Sequence, residues 1–143
     1  MFFTEDDPAR EKYGEAKISH PKEYAEKLRI LKEAGVTIDQ TRPLMAYSPA
    51  KNAAGVFILD PKASISALRH EFQHFLEDRE AGYLGLKAYR QDDEIFWGFE
   101  FRAFWEEVKF AREQKDFELG RKIVRIMRRV RNEVFGRAVG KQK

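Results

Sequence analysis

Ala-Leu-Arg-His-Glu-Phe-Gln-His-Phe, residues 67–75, is the stretch around which the rest of this chain is organised. It contains the pattern His-Glu-x-x-His. Residues four apart lie one above the other on an α-helix, so His70 and His74 can bind one metal ion from the same face, with Glu71 at the edge of that face. The spacing therefore supplies the groups that metal-assisted hydrolysis requires.

The residues around the pattern predict that this helix is packed into a core. At about 100° per residue, an apolar stripe lies opposite the histidines. Its members are Ile65, Leu68, Phe72, Phe75 and Leu76. On the histidine face, Ala63 and Ala67 leave room for a second element or a substrate. The alternative is two surface histidines beside a carboxylate, but a helix facing only water would tend to carry Lys, Glu or Arg there.

Length and composition indicate one domain, residues 1–143, with a real hydrophobic core. Phe supplies 12 residues and Trp 2, so we expect aromatic packing to carry much of that core. The absence of cysteine excludes disulfides and thiolate metal sites and fits a reducing compartment. Neither a signal peptide nor a bilayer-spanning segment is recognisable, so we expect a protein without membrane contact that is cytoplasmic or is exported by a route that needs no such signal.

The formal net charge of +3 is unevenly distributed. Residues 121–143 hold nine Lys or Arg and one acid, which gives +8, whereas residues 1–120 carry 18 basic and 23 acidic residues, which gives −5. A candidate basic surface lies off the apolar stripe of this segment. It consists of Arg121, Arg125, Arg128 and Arg129. The alternative is a solvated amphipathic helix without a partner.

Three short segments are typical of β-strands: residues 36–38, 44–47 and 56–59. Proline, asparagine and glycine punctuate them, so a small antiparallel sheet of about three strands is expected. We predict an α+β fold in which this sheet packs on a mainly helical body, with a catalytic core at about 36–115. Residues 1–19 are expected to be irregular or to form a short peripheral helix.

The predicted helices have recognisable ends. One begins at Pro21 and ends at Gly35. Asp60 and Pro61 suggest the cap and first turn of the histidine helix, which should run to about Ala81. Another helix should span 93–115. Asp116 can cap a last helix, which together with the tail forms the basic arm, residues 116–143.

A hydrolytic site needs a third protein ligand besides His70 and His74. The only other histidine, His20, precedes Pro21, where helix entry explains it. Glu100 lies in the middle of an apolar face of the 93–115 helix. A buried unpaired carboxylate would be costly, so a metal is the natural compensation and Glu100 the predicted ligand. A salt bridge from Glu100 to an arginine is the alternative.

Two further carboxylates lie near the predicted site. Glu107, seven residues after Glu100 on nearly the same face, is either the rival ligand or the acceptor for the outer N–H of a ligating histidine. Asp78 lies four residues after His74 and could make a similar supporting contact.

The segment from His70 to His74, followed by Glu100-Phe101-Arg102-Ala103, resembles the gluzincin branch of the zincin metallopeptidases, whose third ligand lies in a Glu-x-x-Ala motif. Residues 55–60 also resemble the edge strand with which substrate pairs in such enzymes. More loosely, the chain resembles small zincin-like domains of phages and mobile elements, over about residues 55–115. The resemblance implies one Zn²⁺ per chain and a peptide or protein substrate.

The leading hypothesis is a zinc metallopeptidase in which His70, His74 and Glu100 bind the metal ion. Zinc would lower the pKa of a bound water toward ~7 and polarise the scissile carbonyl, and Glu71 would act as general base. Tyr83 and Tyr89 are candidate donors to the oxyanion, on proximity in sequence.

The alternative hypothesis is a non-catalytic metal-binding protein whose basic arm binds nucleic acid or another acidic partner. A third combines the two, with the arm delivering a peptidase to its target.

Overall fold

In the computed structural model, the backbone is described for residues 2–4 and 6–141, and the side chains for residues 6–136. The predicted α+β class is confirmed. The elements in chain order are β1 (Phe2–Thr4), α1 (Arg10–Tyr13), α2 (Ala16–Ser19), α3 (Pro21–Glu33), β2 (Thr37–Asp39), β3 (Met45–Ala50), β4 (Ala53–Ile58), α4 (Ile65–Ala81), α5 (Leu86–Arg90), α6 (Asp93–Glu113) and α7 (Phe117–Lys141). Within those residues, no helix combines the length and apolar character needed to cross a lipid bilayer.

The sheet has four strands in the order β1-β3-β4-β2. β1 and β4 are antiparallel to β3, but β2 runs parallel to β4. The prediction of a purely antiparallel sheet of about three strands is therefore wrong in detail, and β1 was missed. β3 and β4 follow each other directly in the chain and pair as an antiparallel hairpin. β2 pairs with the other edge of β4 and runs parallel to it.

β4 is an internal strand. Residues 56–58 pair with β3 on one side and with β2 on the other. The expectation that residues 55–60 form a substrate-binding edge strand is therefore corrected, because β1 and β2 are the edges of this sheet. One strand cannot reveal by its own sequence how many neighbours it will have.

α4 begins four residues later than the sequence suggested. Asp60 does not cap the helix; its carboxylate accepts from the N–H of Lys62 at 2.9 Å and forms a local turn. The cap is Ser64, whose hydroxyl oxygen accepts from the N–H of Ala67 at 3.2 Å. The helix ends at Gly82 as predicted, because its φ of 85° suits glycine.

The helices form a layer in which α6 packs against α4 on one side and α7 on the other, while β3 covers a further side of α4. The core between these elements is rich in aromatic and branched side chains. Fully buried examples are Tyr47, Phe57, Leu68, Phe75, Phe110 and Ile123. This packing brings the middle of α4 against the middle of α6, where the candidate site lies.

The predicted cap of the last helix is confirmed. Asp116 accepts from the N–H of Leu119 at 3.0 Å, and its other oxygen accepts from Tyr13 at 2.7 Å and Lys12 at 2.9 Å. These hydrogen bonds, led by that from Leu119, lower the pKa of the Asp116 carboxyl to about 2. The apolar stripe of α7 is buried, and it includes Leu119, Ile123, Met127 and Val134.

Candidate metal centre

Three predicted ligands meet in the interior of the protein. His70 and His74 project from α4 toward Glu100 on α6, and their relative exposures are 0%, 1% and 5%. The Nε2 atom of His74 lies 3.3 Å from one oxygen of Glu100, and the Nε2 atom of His70 lies 3.8 Å from the other. One ligand atom from each residue lies within 4.8 Å of the other two.

These distances fit a metal site. Ligands at about 2.0–2.1 Å from a tetrahedral zinc lie about 3.3 Å from one another, close to the separations between Glu100 and the histidines. In the described part of the chain, the Nε2 atom of His70 is buried and lacks a hydrogen-bond partner. A buried ring nitrogen without a partner costs free energy unless a hydrogen-bond donor or a metal ion interacts with it. Two imidazoles and a carboxylate are a ligand set that binds divalent metal ions.

Glu107 makes the contact predicted for it. Its Oε2 atom lies 2.8 Å from the Nδ1 atom of His70, on the side of the imidazole away from Glu100. The tautomer that satisfies this contact carries its proton on Nδ1 and leaves the lone pair of Nε2 directed at the cluster. Glu107 is therefore a support for His70 here, and its alternative role as a direct ligand is not favoured.

The surroundings of Glu100 include the two histidines and the charge of an arginine, so the alternative of a salt bridge to an arginine stays a prediction. The ion-pair contacts of Glu100 in the described structure are with His70 and His74. Burial would raise the pKa of the Glu100 carboxyl, but the charges of His74, His70 and Arg90 together lower it.

Burial and charge oppose each other across the cluster. Burial alone lowers the pKa of His70, but the hydrogen bond to Glu107 and the neighbouring carboxylates outweigh it and raise the pKa to about 9. For His74, burial dominates and lowers the pKa. Burial also raises the pKa of Glu107, whereas in Glu100 the two histidines overcome burial and lower it. A compact set of carboxylates and imidazoles is thus held away from bulk water.

Glu71 lies beside the three ligands without being one of them. Its side chain is fully buried, and its Oε1 atom is 4.0 Å from the Nε2 atom of His70. A carboxylate at this distance from the ligand atoms is close enough to exchange a proton with a molecule bound between them.

Asp78 does not make the predicted contact with the histidines. Its two oxygens accept hydrogen bonds from the hydroxyls of Tyr47 on β3 and Tyr89 on α5. Burial first, and then these bonds to Asp78, raise the pKa of both tyrosines. One helical turn beyond His74, the side chain faces the sheet and α5, so Asp78 fastens these elements to α4.

The two candidate oxyanion donors, Tyr83 and Tyr89, lie in different surroundings. Tyr89 is buried and its hydroxyl donates to Asp78, so the structure does not favour its assignment as an oxyanion donor. Tyr83 follows the end of α4, where its N–H donates to the carbonyl of Asp78 at 3.0 Å. Its assignment stays a prediction.

Two residues near the site were missed by the assignment of site residues. Asp7 accepts from the N–H and hydroxyl of Ser64, at 2.8 and 2.6 Å, and its charge contributes to the raised pKa of Glu107. No local pattern could connect residues 57 positions apart. The ring of Phe104 stands edge-on to His70 at 4.6 Å, and its position one turn after Glu100 was the available signal.

Three of the four arginines of the predicted basic surface on α7 are exposed without an ion pair among the described side chains, and the fourth forms ion pairs. Arg121, Arg125 and Arg128 are exposed. Arg129 instead pairs with Asp6 and lies 3.8 Å from Glu133, so it belongs to the ion pairs that fix the helix.

Comparison of the chain with protein-family models, with curated proteins and with solved structures found no match in any of the three. The resemblance to gluzincins therefore rests on the two sequence motifs alone.

Proposed function

We propose that this protein is a zinc-dependent metallopeptidase. The observation that carries the proposal is the convergence of His70, His74 and Glu100, with Glu71 beside them and Glu107 behind His70. Two imidazoles and one carboxylate leave a fourth position for water, which is the arrangement of catalytic rather than structural zinc sites.

Bound zinc would supply a Lewis acid for the scissile carbonyl and lower the pKa of a water molecule toward about 7. Glu71 then takes the proton from the attacking water and delivers it to the leaving amine. Glu107 holds the ring of His70 in one orientation through its 2.8 Å contact. The buried ring of Phe104 excludes bulk water from the side of His70, which strengthens the electrostatic interactions in the site.

Metal content tests the ligand set. Purified wild-type protein should carry about one zinc per chain, and His74→Ala and Glu100→Gln should lose it. His20→Ala is the matched control, because it removes the third histidine of the chain from a position between α2 and α3 and should leave the zinc content unchanged. A wild-type protein that stays free of metal after zinc is added back would refute the site.

Turnover tests the role of Glu71. With a set of quenched fluorescent peptides, Glu71→Gln should keep its zinc but lose hydrolysis by about 10²- to 10⁴-fold. Glu80→Gln, an exposed position on the same helix, should behave as wild type. Undiminished hydrolysis in Glu71→Gln would refute the mechanism. Stoichiometric zinc without hydrolysis of any peptide in the wild type would refute the peptidase and favour a metal-binding protein.

A further inference from the structure

α7 presents a basic face to solvent, interrupted by the exposed side chain of Val124. Its apolar stripe is buried against the body of the protein, so the opposite side of the helix carries the charged side chains. The basic face is defined by five exposed cations: Arg121, Lys122, Arg125, Arg128 and Arg131.

These five cations form no ion pairs among the described side chains, although Arg131 lies over the ring of Phe135, 5.2 Å from its centroid. Among the described side chains, none of the five has a carboxylate within 4.0 Å, whereas Arg129 on the same helix pairs with Asp6 and Lys12 pairs with Asp116. Like charges three or four residues apart repel on a helix, as between Arg121 and Arg125. Asp6 and Asp7 line a hollow with Lys122 and Arg125, and an external anion would further reduce the repulsion within the basic face.

The spacing of the cations suits a regularly repeating anion. At a rise of about 1.5 Å per residue, Arg121, Arg125 and Arg128 lie about 6 and 4.5 Å apart along the helix, and the face extends about 15 Å to Arg131. Charge repeats of this order are found along nucleic-acid backbones, which place one phosphate per strand about every 3.4 Å of axis.

We propose that the basic face of α7 docks on the phosphate backbone of double-stranded nucleic acid, independently of base sequence. α7 lies against α6 along its apolar stripe, so it meets a duplex with one face only, and the Arg and Lys side chains of that face are typical phosphate contacts. The proposal goes beyond the metallopeptidase and does not depend on the metal centre.

Two other anionic partners fit less well. A helix that binds a membrane surface inserts an apolar face, but the apolar stripe of α7, with Ile123 and Met127, is already buried in the protein. Single-stranded nucleic acid is bound by stacking bases on aromatic rings, and the sequence has no aromatic residue between Arg121 and Arg131.

The test uses the full chain and a fluorescent duplex DNA of about 24 base pairs and mixed sequence, with binding followed by anisotropy between about 50 and 200 mM salt. If four or five phosphates are contacted, log K should fall against log salt with a slope of about −3.6 to −4.5. Glu71→Gln should bind the duplex as wild type does, which separates this result from any failure of the peptidase proposal.

A matched pair of triple variants locates the surface. Arg121→Glu/Arg125→Glu/Arg128→Glu should weaken binding at least about 100-fold and make the slope shallower by about 3. The control is Lys22→Glu/Lys32→Glu/Lys87→Glu, which makes the same change in net charge at exposed cations of α3 and α5. It should lose far less affinity. If the glutamate triple does not fold, the corresponding glutamine triple replaces it, with a slope shallower by about 3 again expected.

Three results would overturn the proposal. The wild type binds no duplex across the salt range, the two triple variants lose affinity equally, or vesicles of phosphatidylcholine with about one-third phosphatidylserine compete the protein off the duplex. Equal loss of affinity in the two triple variants would indicate that binding depends on net charge alone. Competition by the vesicles would indicate that the basic face binds a lipid surface.

Discussion

Replacing Glu107 with glutamine should weaken zinc binding while leaving all three ligands in place. The carboxylate of Glu107 is buried and lies 2.8 Å from the Nδ1 atom of His70. The substitution keeps the size of the side chain but replaces a charged acceptor with a neutral amide. Loss of such a contact behind a ligating histidine costs about 10- to 100-fold in metal affinity, which is about 1.4 to 2.8 kcal/mol.

The assay is competition for zinc against a chromophoric chelator, with wild type and variants at one fixed pH. Glu106→Gln is the control, because the neighbouring carboxylate pairs with Lys109 at the surface and should change zinc affinity less than about twofold. Near-ultraviolet circular dichroism of each metal-free variant verifies the fold. Equal zinc affinities in wild type and a folded Glu107→Gln would refute the reasoning that Glu107 supports His70.

Three other perturbations follow from the structure. Zinc at 100 times its dissociation constant should stabilise the wild type by about 2.7 kcal/mol in urea unfolding, and a chelator should remove the gain; an unchanged midpoint would contradict a specific site. Glu23 has a pKa of about 2, lowered first by its hydrogen bond to Arg69, so Glu23→Gln should cost about 1 kcal/mol at neutral pH after allowance for solvent screening. Because the pKa of Glu23 in the folded protein lies below its ordinary value, the stability difference between wild type and Glu23→Gln should be largest above about pH 4.5 and shrink as the pH falls toward about 2. A difference that does not change with pH would exclude the ion pair of Glu23 and Arg69 as its cause. Gly55→Ala would place a Cβ 1.9 Å from the carbonyl oxygen of Ser48 and should destabilise by about 2–4 kcal/mol, whereas Gly120→Ala, with its nearest contact at 3.9 Å, should be neutral or stabilising in thermal unfolding.

The sequence predicts those parts of the site that depend on helical spacing. His70 and His74 share a face because they are four residues apart, and Glu100 stands out because it interrupts an apolar face of its own helix. Both inferences need only the geometry of one helix at a time. The contact of Glu107 with His70 follows by the same reasoning.

The features that were mispredicted depend on contacts between distant segments. β4 reads as an edge strand by itself, and only the pairing of residues 37–39 with residues 56–58 makes it internal. Asp78 lies on the histidine side of α4, but Tyr47 and Tyr89 reach its carboxylate first from β3 and α5. No periodic pattern within one segment contains these partners.

The composition of the buried cluster argues that it exists for a ligand rather than for the fold. Glu71, Glu100 and Glu107 place three carboxyl groups in the interior beside two imidazoles. With both rings neutral, as metal ligation requires, and all three carboxyls ionised, their formal charge would be −3. Apolar residues of similar size would usually stabilise a core as well or better, because burying charges carries a desolvation penalty. A divalent cation between His70, His74 and Glu100 would offset most of that charge. It would also satisfy the Nε2 atom of His70, which the described protein groups leave without a hydrogen bond. The same ion would therefore relieve both the electrostatic and the hydrogen-bonding cost of this core.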